Sequence, residues 1–238
     1  MTQWLYLTDS YLREFEGRIF EVRPSGVVLT QSAFYPGGGG QPSDQGRLFL
    51  EDGTELEVTG LKREDGAVTH LLDRVDGLAK GMRVRGQMDW HRRYQLMRTH
   101  TAMHILCGVI WRDYGAQVTG GNMTPCHGRL DFELEGLGAS FIGEVTEKIN
   151  REVEAARTVE VAILPRDEAM QIPDLIRTKI NLLPANLTEI RTVNIDGLDL
   201  QADGGTHVAN TKEVGQLRIP KCQNKGKHNK RLYVELNA

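Results

Sequence analysis

The sequence predicts an α+β protein in two parts, and three observations carry that expectation. Up to Asp89 the apolar residues fall in short runs separated by tight-turn signals, with almost no helical period. At Asp89 the period switches, and from Trp90 to about Tyr114 apolar residues recur at helical spacing. Beyond that stretch, short strands with short loops surround one further helix, as in folds that pack helices on a mostly antiparallel sheet. Residues 1–89 are therefore assigned to a mostly β domain and 90–238 to an α/β domain.

In the first part, Arg18 to Arg23 and Val27 to Thr30 flank the turn sequence Pro24-Ser25-Gly26. Arg47 to Glu51 and Thr54 to Val58 flank Asp52-Gly53, a strong hairpin signal. Val68 to Asp73 and Met82 to Met88 follow, punctuated by Gly66, Gly77 and Gly81. Six short strands with tight turns suggest a small barrel or a sandwich. Among them lies Phe34-Tyr-Pro-Gly-Gly-Gly-Gly-Gln-Pro42, with Asp44 and Gly46 just beyond. Consecutive glycines cost folding entropy, so such a loop usually serves positive φ angles or a close backbone approach. Its spacing is neither G-x-G-x-x-G nor a Walker A motif, and no Lys-Ser or Lys-Thr follows.

In the second part Asp89 is placed to cap the first helix, whose apolar positions include Met97, Thr101, Ile105 and Val109. Val118 to Met123 and Arg129 to Leu134 read as extended, with Leu130, Phe132 and Leu134 alternating onto one face. Ser140 is the expected cap of a second helix reaching about Arg157, with Ile142, Val145, Ile149 and Val153 as its buried stripe. Val159, Val161 and Ile163 form a strand stopped by Pro165, and Asp167 to Leu183 is expected to hold short helices broken at Pro173 and Pro184. Further strands are expected at Glu189 to Ile195, Glu213 to Ile219 and Arg231 to Leu236.

Composition bounds the function. With 39% hydrophobic and 26% charged residues, the 238-residue chain has the make-up of an ordinary globular protein. A net charge of −3 means that nucleic acid would be met by a local patch rather than a global field. No apolar run approaches the ~18 residues of a membrane span, and the N-terminus does not read as a signal peptide. Three widely spaced cysteines, Cys107, Cys126 and Cys222, argue against a disulfide framework and for a reducing compartment, with the cytoplasm as the expectation. No apolar heptad suggests a strong oligomer, so a monomer or weak homo-oligomer is expected.

The chemistry-bearing residues centre on Arg98-Thr-His-Thr-Ala-Met-His104. At 3.6 residues per turn, His100 and His104 project from one helical face, which is how a helix offers two nitrogens to one metal ion. Taken alone, the pair reads equally as two surface histidines. A third imidazole closes Asp203-Gly-Gly-Thr-His207, where two glycines let a tight turn bring carboxylate and ring together. Asp is an accepted but less common zinc ligand. His91 lies too far along the helix to join. Cys126 and His127 are assigned to a solvent-exposed turn, and Cys107 to small buried filler. Thr101 stands where H-E-x-x-H metalloproteases need a glutamate, so that class is excluded.

Four segments in this order, Phe34 to Pro42 with Asp44 and Gly46, His100-Thr-Ala-Met-His104, Asp203-Gly-Gly-Thr-His-Val208 and Lys225-Gly-Lys-His-Asn-Lys-Arg231, make the chain resemble the freestanding alanyl-tRNA editing proteins. This is the AlaX group, related to the editing domain of alanyl-tRNA synthetase. The resemblance spans about Phe34 to the C-terminus. It implies a small N-terminal β-barrel carrying the glycine-rich loop, then an α/β editing domain that hydrolyses mischarged Ser-tRNA(Ala) in trans at one zinc ion, and leaves Gly-tRNA(Ala) open as a second substrate. Through the synthetases it also implies a nucleotide-binding, ATP-binding class. Carried over, His100, His104 and His207 fall on metal-ligand positions. Asp203 falls where the synthetase editing domain has cysteine, which exchanges a soft thiolate for a hard carboxylate. Thr101, Thr206 and Gln117 are the candidates for lining the reaction site.

For RNA, Lys221, Lys225, Lys227, Lys230 and Arg231 occur within a stretch that contains no acid, and are assigned to phosphate contacts. Gly38, Gly39, Gly40 and Gln41 are assigned to the same role, and Arg92, Arg93 and Arg98 add charge along the first helix. The leading expectation is a metal-dependent aminoacyl-tRNA ester hydrolase. A tRNA-binding module without hydrolysis and a zinc hydrolase for small esters or amides are the alternatives.

Overall fold

A computed structural model describes residues 2–135, 138–181 and 183–237. The chain divides into two compact units, Met1–Tyr94 and Gln95–Ala238. The fold is mixed α/β with mostly antiparallel sheets and three α-helices among the described residues.

The first unit contains strands β1 (Gln3–Trp4), β2 (Glu14–Arg23), β3 (Gly26–Leu29), β4 (Gln31–Ser32), β5 (Gly46–Leu50), β6 (Glu55–Glu64), β7 (Ala67–Leu72) and β8 (Arg83–Met88). Six of them pair in the order β2-β3-β7-β6-β5-β8, and β8 returns to β2, so the ring is closed and each strand has a partner on both sides. Closure removes the exposed edges that invite aggregation. Alternating residues of β6 and β8 point inward, and Phe15, Ile19, Leu29, Phe34, Leu48, Leu56, Val58 and Val84 fill the interior. The Asp52-Gly53 turn lies between β5 and β6 as the sequence predicts. β6 runs six residues beyond the expected Val58 because a register shift between Val58 and Gly60 lets pairing with β7 continue. A second hairpin turn follows at Asp65-Gly66, both with positive φ (48° and 73°), as a type I′ turn requires.

The glycine-rich loop is a built feature. Gly38 and Gln41 exchange backbone hydrogen bonds of 3.0 and 2.9 Å across Gly39 and Gly40, whose φ values are 57° and 89°. Both angles lie in the region that side chains disfavour, which accounts for the glycines. Around the loop, the Tyr35 hydroxyl donates to the Gly38 carbonyl (3.0 Å) and the Tyr35 amide donates to Asp44 Oδ2 (2.6 Å). Arg93 is completely buried and grips Asp44 from Nε (3.0 and 2.9 Å) and Nη2, while donating to the Ser10 and Ala33 carbonyls (2.9 and 2.6 Å). Arg93 therefore contributes no surface charge, contrary to the expectation for the first helix.

His70 is fully buried between Ser32 Oγ (2.8 Å) and the Val27 carbonyl (3.3 Å), and burial pushes its pKa down to about 4. A histidine depressed below its unfolded value of about 6.5 must be neutral in the folded state, so its contribution is complete above pH 6.5 and is lost as pH falls towards 4. From pH 7 to pH 5 the loss from this group is about 2 kcal/mol. Urea midpoints at the two pH values should fall further in the wild type than in His70→Gln, and equal losses would contradict the assignment.

The chain crosses between the units along α1 (Trp90–Tyr114), whose first turn is capped by Asp89 Oδ1 accepting from the Arg92 amide (3.1 Å). The second unit then adds β9 (Val118–Thr124), β10 (His127–Phe132), α2 (Phe141–Glu154), β11 (Val159–Pro165), α3 (Arg166–Ala169), β12 (Glu189–Ile195), β13 (Asp199–Ala202), β14 (Leu217–Arg218), β15 (Cys222–Asn224) and β16 (Lys230–Leu236). One antiparallel sheet has the order β14-β16-β10-β9 with β15 beside β16, and another has β11-β12-β13. Residues 99–110 of α1 are all buried, so the segment is embedded rather than one-faced. Ser140 precedes α2 but makes no side-chain cap bond. Of the expected strand Glu213–Ile219 only Leu217–Arg218 pairs. Thr211–Val214 is instead a 3₁₀ turn, closed by an Asn210–Glu213 capping box. In β11 only Val159 is buried, and Val161 and Ile163 face outward. Of the expected short helices over residues 167–183, α3 is the one formed among the described residues, and Leu182 lies outside them.

Candidate metal centre

Two segments of the second unit converge on one point. Helical spacing carries His100 and His104 to one face of α1, as the sequence predicts, and the glycine turn after β13 brings Asp203 and His207 to the same place. One ligand atom from each of the four residues lies within 4.8 Å of all the others. His100, His104 and His207 are buried, and the Asp203 side chain is 15% exposed. The His100 and His207 rings stack with centroids 4.3 Å apart, and His104 meets His207 edge-on at 4.7 Å. Asp203 Oδ2 lies 2.9 Å from His207 Nε2, and Oδ1 lies 3.7 Å from His100 Nε2. Donors about 2.0–2.1 Å from a tetrahedral zinc stand about 3.3 Å from one another, a spacing these two distances bracket.

Three of the four ligands are held by partners behind them. His104 donates from Nδ1 to Asp199 Oδ2 (2.9 Å), which leaves Nε2 for the centre of the cluster. Gln201 also donates to Asp199 Oδ2 (2.7 Å) and contacts Cys107 Sγ (3.3 Å). Thr101 Oγ1 sits 3.2 Å from His207 Nδ1 and accepts from the Val208 amide at 3.2 Å, so it fixes the ring and the chain after it. The turn is braced by the Gly205 amide donating to Asp203 Oδ2 (2.8 Å) and by Arg191 donating to the Asp203 carbonyl (2.9 Å). Gly108 makes this geometry possible, because a Cβ there would lie 2.9 Å from the Leu198 side chain and 3.0 Å from its carbonyl. Its absence lets the chain entering β13 approach α1 and present Asp199 to His104.

Electrostatics prepares the donors. Burial holds the His100 pKa down at about 4, and burial with the neighbouring His100 charge holds His207 well below its ordinary value. For His104 burial acts downward, but the hydrogen bond and charge of Asp199 carry the pKa upward. Burial acts upward on Asp203, yet the His100 and His207 partners hold it well below the usual carboxylate range. The set is three imidazoles around an ionised carboxylate. Nitrogen and oxygen donors of this kind suit zinc and other first-row divalent ions.

Other expected site residues are placed as follows. Thr206 is fully buried in the turn between Asp203 and His207. Gln117 lies between α1 and β9, where its carbonyl accepts from the Glu133 amide (2.9 Å). Cys107 is buried, as expected for filler, and Cys126 is buried in the β9–β10 turn rather than exposed. Neither they nor Cys222 belong to the cluster. Asp199 and Gln201 were missed. The signal was the alternation Asp199-x-Gln201-x-Asp203, which puts all three on one face of a strand that runs into the glycine turn.

At the C-terminus, Lys221, Lys225 and Lys227 are exposed. Lys230 is buried, with Nζ donating to the Gly226 and Lys227 carbonyls (both 3.4 Å). Arg231 pairs in a fork with Asp131 (2.7 and 2.8 Å) directly across β10 and β16. In the loop of the first unit, Gly38 and Gly39 are exposed and Gln41 is buried.

Comparison with known proteins places this geometry in a lineage. An alanyl-tRNA editing protein AlaX-M of Saccharolobus solfataricus is 42% identical over 236 residues, 98% of both chains. The chain belongs to the alanyl-tRNA editing protein AlaX-M family. Another AlaX-M protein, from Methanosarcina acetivorans, is 40% identical over 99% of each chain. The alanine–tRNA ligase of Pyrococcus abyssi is 38% identical over 92% of this chain but only 24% of its own length. Residues 7–92 of the chain match the family of class II (A) tRNA synthetases, and residues 190–233 match the second additional domain of threonyl and alanyl tRNA synthetases. The latter match contains β12 from Ile190 onward, β13, Asp203 and His207.

If the cluster holds a divalent ion, Asp199→Asn should weaken its binding about 10- to 100-fold, since the amide neither holds the imidazole tautomer nor adds charge behind it. Chelator competition measures this, and unchanged affinity would show that Asp199 does not support His104.

Proposed function

We propose that this chain deacylates tRNA(Ala) mischarged with serine by hydrolysis of the aminoacyl ester at a zinc ion held by His100, His104, Asp203 and His207. The observation that carries this reading is the buried His₃Asp cluster, with the His104 and His207 rings held from behind, in a chain that aligns end to end with alanyl-tRNA editing proteins. When bound, a zinc ion held by these four residues would supply Lewis acidity at the cluster. The chain's own groups do the positioning. Asp199 and Thr101 lock the His104 and His207 rings, and the ionised Asp203 brings negative charge to the donor set. Thr206 and Gln117 are the side chains assigned to the reaction site around the amino acid. Discrimination between serine and alanine rests on one hydroxyl, and a polar site left unpaired by alanine can reject it strongly.

On this reading the protein acts in the cytoplasm, as a monomer or weak homo-oligomer, on tRNA whose phosphates are met by the Gly38–Gly40 loop and by Lys221, Lys225 and Lys227. Lys230 holds the loop that carries Lys225 and Lys227, and Arg231 ties β16 to Asp131 of β10. Changing the three exposed lysines together to alanine should lower tRNA affinity without altering ester selectivity, and should reduce the salt dependence of log K by roughly 2 to 3. An unchanged salt slope would remove them from the RNA contact. Release of amino acid from Ser-tRNA(Ala), Gly-tRNA(Ala) and Ala-tRNA(Ala) tests the reaction. Serine is expected to be released and alanine retained, release of glycine would show that the pocket does not require the hydroxyl, and no preference for serine over alanine would overturn the reading.

A further inference from the structure

The sheet β14-β16-β10-β9 has one apolar face and one polar face. On its two central strands the alternation is strict. Leu130, Phe132, Leu232 and Val234 are buried, while Arg129, Asp131, Arg231 and Tyr233 point the other way and are half-buried. Strand register sets the polar residues in rows. Tyr233, Arg129 and Asn122 lie side by side across β16, β10 and β9, and Arg231, Asp131 and Gly120 form the row beside them. Arg218 and Glu235 are paired one row further on.

This face is cationic in a chain whose net charge is −3. Arg129, Arg218, Arg231 and Lys221 outnumber the carboxylates Asp131 and Glu235. Arg231 neutralises Asp131, the carboxylate lying between Tyr233 and Gly120. Arg129 meets the same carboxylate at 3.3 Å, and its side chain stays 31% exposed. Among these cations stands an aromatic ring. The Tyr233 hydroxyl donates to Gln223 Oε1 (2.8 Å), which fixes the ring. Over the ring lies the ammonium of the exposed Lys221, 5.9 Å from the centroid. A long solvent-exposed side chain therefore occupies the stacking position.

Gly120 supplies an independent observation. Its neighbour Gly121 is demanded by packing, since a Cβ there would lie 2.9 Å from Leu130 Cδ2 and 3.4 Å from Met103 Cε. At Gly120 a Cβ would meet Asp131 Oδ2 at an ordinary 3.8 Å, and φ lies outside the left-handed region. The fold has no need of glycine there, and a bare backbone on the polar face of a strand suits close approach by a ligand.

An aromatic ring amid cations on an antiparallel sheet is chemistry on which unpaired bases stack while their phosphates are neutralised alongside. We propose that this face docks an unpaired strand of the substrate tRNA, with a base on Tyr233, phosphates on Arg129 and Lys221, and the strand passing close over Gly120. The choice of tRNA rests on the deacylation reading above. The face adds base stacking to the charge contacts of the C-terminal lysines.

Binding of uncharged tRNA(Ala), read by fluorescence anisotropy across a salt series, tests the proposal without involving hydrolysis. Tyr233→Leu should lower affinity about 5-fold or more, the cost of one lost base stack, and leave the salt slope unchanged because no charge is removed. Tyr233→Phe should bind like the wild type. Arg129→Gln should weaken binding and reduce the slope of log K against log salt by about 0.7, the value for one phosphate of a single strand. Gly120→Val should keep or raise the melting temperature and still lose affinity, a combination that a purely structural glycine would not give. Affinity within about twofold of wild type in Tyr233→Leu, or in Gly120→Val if the leucine variant does not fold, overturns the proposal. A short unpaired RNA should displace tRNA(Ala) at lower concentration than its duplex does, and equal or better competition by the duplex also overturns it. Wild-type protein that binds tRNA(Ala) through Tyr233 but releases no serine would overturn the functional reading and leave the docking face standing.

Discussion

Replacing His104 with alanine is expected to abolish tight metal binding and to lower kcat/KM for Ser-tRNA(Ala) by at least about 10³-fold. That factor corresponds to about 4 kcal/mol of transition-state stabilisation, within the several kcal/mol that a Lewis-acidic ion contributes. His104 is the most informative ligand because its ring is oriented by Asp199 and Gln201, so its loss removes a donor and leaves the buried Asp199 carboxylate without its imidazole. Affinity for uncharged tRNA should persist, since the exposed lysines lie elsewhere in the chain. Metal analysis and steady-state kinetics on one preparation check both points. Metal retained at wild-type stoichiometry would contradict the ligand assignment, and lost metal with retained turnover would contradict the role of the ion.

The second large effect is structural. Arg93→Met should destabilise the first unit by about 3–5 kcal/mol, because it leaves Asp44 buried and charged with no cation. Asp44 has no exposed face and also accepts the Tyr35 amide, so the damage reaches the base of the glycine-rich loop. At the usual scaling for a protein of this size, that lowers the melting temperature by roughly 10 °C. The double variant Arg93→Met, Asp44→Asn should recover part of the loss, because it removes the stranded charge. A single-variant loss below about 1 kcal/mol would show that the pair does not hold the loop.

Local chemistry made much of this legible. Helical period placed His100 and His104 together, and a glycine turn placed Asp203 beside His207, because both relations are set within five residues. The supporting groups were harder to read. Asp199 reaches His104 through a four-residue strand with no apolar run, and it depends on Gly108 allowing two segments of chain to touch. Charge clusters mislead for a related reason. Lys230 and Arg231 read as part of a basic patch, but Arg231 faces an acid a hundred residues away across a sheet, and Lys230 turns back onto its own loop. Arg93 likewise belongs to the interior because Asp44 waits there. Strand ends failed where pairing crosses an irregularity, as at Gly60, and an outward-facing pattern such as Val161 and Ile163 cannot be told from an inward one by period alone.

The measurement closest to the central claim is deacylation of Ser-tRNA(Ala) against zinc occupancy, using protein stripped by chelation and reloaded in steps. Activity should rise in proportion to bound zinc and reach its plateau at one ion per chain, with Ala-tRNA(Ala) intact throughout. Full serine release from the stripped protein would contradict a catalytic metal at His100, His104, Asp203 and His207.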